Sequence, residues 1–184
     1  NDKITVTAPR NELVKMLKAL KISNQKIRDV LIIGGSKIAV YLAEELIKSG
    51  VNVKIIEQKL EKCRALSERL PSAVIINGDG TLQDLLSSEG IEETDAVISL
   101  TNIDEENLVI SMYADSCGVP KSITKINRTE YLRLFKDRDI GSVICPKMLA
   151  SYEIIRYVRA MDNTTGGSVK TMYRIVDEKV EALE

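Results

Sequence analysis

Gly34, Gly35 and Ser36 stand between two apolar runs, and their types and spacing suit the seating of a phosphate. Val30 to Ile33 reads as a buried strand. Ile38, Ala39, Leu42, Ala43, Leu46 and Ile47 fall on one face of a helix that follows almost at once. The first N–H groups of such a helix lack intrahelical partners and carry the positive end of its dipole, so they hold phosphate oxygens with main chain alone. The next apolar run, Asn52 to Ile56, ends in Glu57, a little over twenty residues past Gly34. An acidic side chain there accepts hydrogen bonds from a ribose diol and repels a 2′-phosphate. Together these residues predict the dinucleotide-binding turn G-x-G-x-x-G/A, written here as Gly34-Gly35-Ser36-Lys37-Ile38-Ala39.

The pattern has one departure. Gly34 supplies the tight turn, and Ala39 suits the close packing of helix on strand. The middle glycine, which lets a pyrophosphate come near, is replaced by Ser36. A serine at this point either caps the helix and hydrogen-bonds the phosphate or crowds the ligand out. A turn that keeps its geometry without a ligand stays open on the motif alone.

The elements around this turn alternate. Lys59 to Leu70 reads as a helix stopped by Pro71, Ala73 to Ile76 as a strand, and Gly78-Asp79-Gly80 as the turn that closes it. A helix from Thr81 to about Gly90 leads to the strand Ala96 to Leu100, and Thr101-Asn102 follow it. Asp104 to Cys117 reads as a helix, Ser122 to Ile126 as a strand, Thr129 to Phe135 as a helix, and Val143-Ile144 as a last strand. Pro146 then opens a long helix, Met148 to Met161. Strands that are apolar throughout and alternate with helices predict an α/β fold with a doubly wound parallel sheet. In such a sheet ligands bind at the carboxyl ends of the strands. Gly34 to Ile38, Glu57, Asp79, Thr101, Asn102 and Lys125 all fall there.

The ends of the chain do not fit that sheet. Asp2 to Thr7 reads as a strand, Pro9 to Leu20 as an amphipathic helix, and Ser23 to Lys26 as a polar linker. Thr164 to Gly167 reads as a break, followed by two short strands within Ser168 to Ile175 and Val180 to Leu183. The expected organisation is therefore a nucleotide-binding domain over 27–163, with parts of other small domains at 1–26 and 164–184. The first residue is Asn1 rather than Met, which suggests an excised segment.

Composition narrows the chemistry. Hydrophobic residues make up 44% and charged residues 29%, the balance of a water-soluble globular domain. A net charge of −1 offers no basic field for nucleic acid. No apolar stretch approaches the roughly 18 residues of a membrane span, and no secretory leader pattern is present. Cys63, Cys117 and Cys145 have neither disulfide-framework nor zinc spacing, and read as reduced thiols. The count of histidine is 0, which removes the commonest general base, the usual nucleophile pairs and the most frequent metal ligand. These absences argue against an enzyme and against a metal site.

Taken in order, Gly34-Gly-Ser-Lys-Ile-Ala39, Glu57, Asn77-Gly-Asp-Gly-Thr81, Leu100-Thr-Asn-Ile-Asp-Glu-Glu-Asn107, Lys125-Ile-Asn-Arg-Thr-Glu-Tyr131 and Ile144-Cys-Pro-Lys147 form a more specific set than the turn alone. Over Ile27 to Met161 the chain resembles the nucleotide-binding lobe of the regulators of potassium conductance, the RCK or TrkA/KtrA type. The flanks resemble the end of one TrkA C-terminal domain and the start of another, which implies the second lobe of a tandem protein. The resemblance implies a regulatory subunit on the cytoplasmic face of the membrane. It implies binding of NAD or NADH, or of ATP or ADP as in the KtrA branch, and homo-oligomerisation into dimers or rings. The implied partner is an integral membrane potassium transporter subunit. Carried onto this chain, Gly34, Gly35, Ser36, Lys37 and Ile38 would hold the pyrophosphate and Glu57 the adenine-side ribose. Asp79 would lie near the adenine, Thr101 and Asn102 would line the cleft, and Lys125 would supply a cation.

Each of these residues also has a plain structural reading. Glu57 and Lys125 are possible solvated strand ends, Asp79 a helix cap, and Asp104-Glu105-Glu106 a favourable acidic helix start rather than a cation site. Three functions compete: a nucleotide-sensing regulatory subunit, a ligand-free lobe that only assembles a ring, and an NAD-dependent oxidoreductase. The last lacks a proton donor and a substrate domain.

Overall fold

The computed structural model describes residues 6, 8–20, 26–135, 141–162, 172–175 and 180–183. Ile27–Lys147 forms one compact unit, and the flanking segments group into a second.

In the larger unit the strands are β1 (Asp29–Ile33), β2 (Asn52–Glu57), β3 (Val74–Asn77), β4 (Ala96–Ser99), β5 (Ser122–Lys125) and β6 (Ser142–Ile144). They form one sheet in the order β3-β2-β1-β4-β5-β6, with every neighbouring pair parallel. This is the doubly wound arrangement expected from the alternation, and the strand order reverses beside β1. The intervening helices are α2 (Lys37–Lys48), α3 (Leu60–Arg69), α4 (Gln83–Ser88), α5 (Asp104–Ser116) and α6 (Thr129–Phe135). The helix α1 (Arg10–Ala19) precedes the sheet, and α7 (Pro146–Asp162) follows it.

Strand residues alternate between two cores. Val30, Ile32, Val53 and Ile55 pack with Ala39 and Ala43 of α2 and Leu66 of α3. Leu31, Ile33, Ile56 and Val97 pack on the opposite face with Leu86 of α4 and Ile110 and Ala114 of α5. Because both faces are covered, β1 reads as an unbroken apolar run rather than an alternating one.

Local chemistry ends the helices where the sequence suggests. At the end of α2 Gly50 adopts φ 77°, and the Gly50 and Val51 N–H groups return to the carbonyls of Ile47 and Leu46 at 2.9 and 3.0 Å. Leu70 closes α3 immediately before Pro71. Several boundaries differ from expectation by one or two residues, and two of the shifts have a local cause. β3 runs one residue later than predicted, because Asn77 pairs with Glu57 in the β2 register. α4 begins at Gln83 rather than Thr81, because Asp79 draws the Thr81 N–H, and its carbonyl the Leu82 N–H, into a turn.

The short strands β7 (Met172–Ile175) and β8 (Val180–Leu183) pair antiparallel, as the sequence suggests. The expected strand over Asp2–Thr7, apart from Val6, the linker over Ser23–Lys26, apart from Lys26, and the break over Thr164–Gly167 lie outside the described residues. Among the described residues no helix is long and apolar enough to cross a membrane.

The entry to β1 carries a pH-sensitive fastening. The Asp95 carboxylate accepts hydrogen bonds from the Arg28 and Asp29 N–H groups at 2.7 and 3.1 Å, which hold it below the usual carboxylate range. Asp79 is likewise lowered, first by the Thr81 N–H and then by the Thr81 hydroxyl. For both groups the unfolded chain binds the proton more tightly than the folded one. Their contribution is therefore complete above the ordinary carboxylate pKa and is lost as pH falls through the folded value. Thermal unfolding should show Tm falling below about pH 4, and Asp95→Asn should flatten that fall.

Candidate functional site

The glycine turn is built by backbone constraint. Gly34 has φ 98°, and a Cβ there would lie 2.9 Å from the Thr101 nitrogen. Its own N–H donates to the Ile56 carbonyl at 2.8 Å, and the Leu100 N–H donates to the Ile33 carbonyl at the same distance. The turn is thus clamped between the ends of β2 and β4. Gly35 is confined by side chains instead. A Cβ on Gly35 would lie 2.5 Å from Leu66 Cδ1 and 3.0 Å from Glu57 Oε2, the atom that accepts the Gly35 N–H at 2.8 Å.

Ser36 occupies the position where the pattern asks for glycine. Its φ −76° and ψ 167° are ordinary extended values, so the backbone itself does not need a glycine. The hydroxyl caps α2 by accepting the Ala39 N–H at 3.3 Å. Ala39 is fully buried against the sheet, which is the close helix–strand contact that the third motif position serves.

These residues open onto a cavity of about 280 Å³ at the carboxyl ends of β1, β2 and β4. Of the residues singled out in the sequence, Gly34, Gly35, Ser36, Glu57, Asp79, Thr101 and Asn102 line it. Lys37, Ile38 and Lys125 do not form its wall. Lys37 and Ile38 stand in the first turn of α2, where the N–H groups rather than the side chains face the helix end. Lys125 is buried, with its pKa lowered by that burial and partly restored by the charge of Asp104.

Glu57 is only 7% exposed and is not a free strand-end carboxylate. Oε2 accepts the Gly35 N–H, and Oε1 accepts the Lys59 N–H at 2.8 Å. The Lys62 ammonium stands 3.9 Å from Oε2. The carboxylate therefore ties the glycine turn to the start of α3 while keeping lone pairs for a further donor. Asp79 caps its own turn: Oδ1 accepts both the Thr81 N–H at 2.9 Å and the Thr81 hydroxyl at 2.7 Å.

The β4 side is held by a residue that sequence reasoning did not assign to the site. Asn107 is fully buried on α5. Its Oδ1 accepts the Thr101 N–H at 2.9 Å, and its Nδ2 donates to the carbonyls of Thr101 at 3.1 Å and Lys125 at 2.9 Å. One amide thus joins the loop after β4 to the end of β5. The signal was present, since Asn107, Ser111 and Ala114 share one buried face of α5 at helical spacing. Asp104 is also buried and accepts N–H groups from Asn127 and Arg128, so at least this part of the acidic helix start fastens the loop after β5. Lys59, Lys62 and Glu106 also line the cavity and were missed. Cys63, Cys117 and Cys145 are free thiols. Among the described residues no group of three or more Cys, Asp or Glu side chains could hold a metal ion.

Residues 30–146 match the model of the TrkA-N domain family. The chain belongs to the TrkA-N family. A Trk system potassium uptake protein TrkA from Halomonas elongata is 34% identical over 183 residues, covering 100% of this chain and 39% of the relative. The chain thus spans about two fifths of that protein's length. Among solved structures, the TrkA-N domain of inner membrane protein ybaL from Escherichia coli superposes with a TM-score of 0.64 at 15% identity, over 73% of this chain and 98% of that one. The GsuK channel bound to NAD gives a TM-score of 0.62 at 17% identity, over 91% of this chain and 31% of the channel chain. At these identities the solved structures establish the fold of the TrkA-N domain, and the sequence match establishes its family.

Proposed function

We propose that this TrkA-N domain is the nucleotide-sensing part of a potassium uptake system. NAD or NADH occupies the cleft at Gly34–Ser36 and Glu57, with ATP or ADP as the alternative ligand. The observation that carries this reading is the meeting, in one cavity, of a positive-φ glycine turn, a helix N-terminus and a buried ribose-side carboxylate. Gly34 to Ile38 take the pyrophosphate, Glu57 the ribose, Asp79 the adenine side, and Thr101 with Asn102 the far wall. Lys125 acts from behind that wall rather than on it. The absence of histidine leaves no general base of the usual kind, and the reading requires none: the ligand acts by differential affinity for two arrangements of an oligomer.

The same reading makes the domain cytoplasmic, held at the inner face of the membrane by an integral potassium transporter subunit. Residues 1–26 and 164–184 then belong to neighbouring TrkA C-terminal-type domains. Leu149, Ile154, Ile155, Tyr157 and Val158 of α7 are exposed apolar side chains suited to a contact between protomers.

Thermal unfolding with NAD⁺, NADH, ATP and ADP in turn tests the ligand. Saturation to a hundred times Kd stabilises by about 2.7 kcal/mol, a rise of about 5–10 °C for a chain of this size. Light scattering on the same samples reads the assembly, which is expected to exceed one protomer and to respond to the stabilising nucleotide. A second reading is favoured by Ser36, which lines the cleft where the pattern asks for glycine and turns its hydroxyl to the cap of α2. No rise with any nucleotide would make the domain a ligand-free member of the assembly.

A further inference from the structure

We infer that Glu106 is a specificity-determining residue that makes the cleft select a dinucleotide and reject a nucleoside triphosphate; this rests on the nucleotide-binding reading above. Strand order sets the layout of the cleft. β1 lies between β2 and β4, so the phosphate seat at Gly34–Ser36 is in the middle of the cleft. On the β2 side stand Glu57 and the lysines Lys59 and Lys62. On the β4 side stand Thr101, Asn102, Ile103 and Glu106, and among the described residues no cation lines the cavity there.

Glu106 is half-buried in the first turn of α5, and among the described residues no side chain pairs with its carboxylate. Its immediate neighbours are already engaged. Asp104 is held by the loop after β5, and Glu105 by Arg128 and the Tyr131 hydroxyl. Glu106 is the acid of that helix start left facing the cavity.

A ligand with its ribose at Glu57 and its first phosphates at the turn must send the rest of its chain toward β4. In a dinucleotide that part is a second ribose, whose hydroxyls are donors for a carboxylate. In a triphosphate it is the terminal phosphate, which brings negative charge to an unpaired carboxylate with no lysine or arginine on that wall among the described residues. The carboxylate thus favours the first ligand and opposes the second.

Titration calorimetry with NADH and with ATP, each without and with Mg²⁺, tests this on the wild-type chain and on Glu106→Gln and Glu106→Lys. NADH should bind the wild type more tightly than ATP under both conditions. Glu106→Gln should raise ATP affinity about tenfold, between the bulk-water and protein-surface limits for two like charges about 4 Å apart. Glu106→Lys should raise it further, and both should weaken NADH. Unchanged Tm without ligand reports that the variants fold. Equal or tighter ATP binding by the wild type, or an unchanged ratio in both variants, overturns the inference and leaves the nucleotide-binding reading standing. Failure of the wild type to bind either ligand overturns both.

Discussion

Replacing Gly34 by alanine is expected to lower stability by about 3 kcal/mol and to abolish nucleotide binding. Two effects add. A side chain at φ 98° is strained by about 1–3 kcal/mol. Its Cβ also meets the Thr101 nitrogen at 2.9 Å and the Leu100 carbonyl carbon and oxygen at 3.0 Å, contacts of the overpacking kind that cost a further 1–3 kcal/mol or about that. Neither side has room to retreat, because Gly34 is bonded to Ile56 and Leu100 to Ile33. Thermal unfolding should show a Tm lower by about 10 °C, and calorimetry should show no binding heat. Gly50→Ala supplies the comparison. Gly50 has φ 77° but nothing within 4 Å of a Cβ, so it carries the strain without the clash. That variant should lose about 1 kcal/mol and keep its ligand. Equal losses at the two positions would show that the clamp around Gly34 yields.

Asn107→Leu is expected to be at least as damaging, although leucine has the same number of side-chain heavy atoms branched at the same carbon. The substitution strands the Thr101 N–H and carbonyl and the Lys125 carbonyl, all bonded to the Asn107 amide at 2.9–3.1 Å. Each buried polar group left without a partner costs about 1–3 kcal/mol, so a total of about 4 kcal/mol is expected after partial relaxation. Denaturant unfolding should show a lower midpoint with an unchanged slope. Because Thr101 lies on the cleft wall and against Gly34, ligand affinity should fall as well. A variant with wild-type stability and weakened binding would instead place Asn107 in direct contact with the ligand.

The elements and their order were legible because apolar runs of strand length alternate with helical spacing and end in glycine or proline. The wall that carries Gly34, Glu57 and Asp79 was legible for the same reason, since each stands at or just past the end of a strand. What escaped reading depends on pairs distant in sequence. That a side chain at Gly35 would meet Leu66 and Glu57 depends on residues far along the chain rather than on its own neighbours. That Glu57 spends two hydrogen bonds on the protein follows from how α3 begins. Asn107 looked like one polar residue in an acidic helix start, and only the meeting of β4, β5 and α5 gives it three partners. Lys125 was placed at the rim by its position at a strand end, but its side chain is buried and does not line the cavity.

Behind that wall lies a hydroxyl chain. Ser111 Oγ accepts from Thr124 at 2.6 Å and lies 3.2 Å from Ser99 Oγ, which donates to the Asn107 carbonyl at 3.0 Å; all three side chains are fully buried or nearly so. Three small polar side chains on three different elements thus satisfy one another. Such positions tolerate replacement together or not at all. Losing one hydroxyl leaves a neighbour without its partner in a dry interior, while exchanging all of them for small apolar side chains leaves none. Ser99, Ser111 and Thr124 therefore fasten β4, α5 and β5 to one another through a single run of hydroxyls.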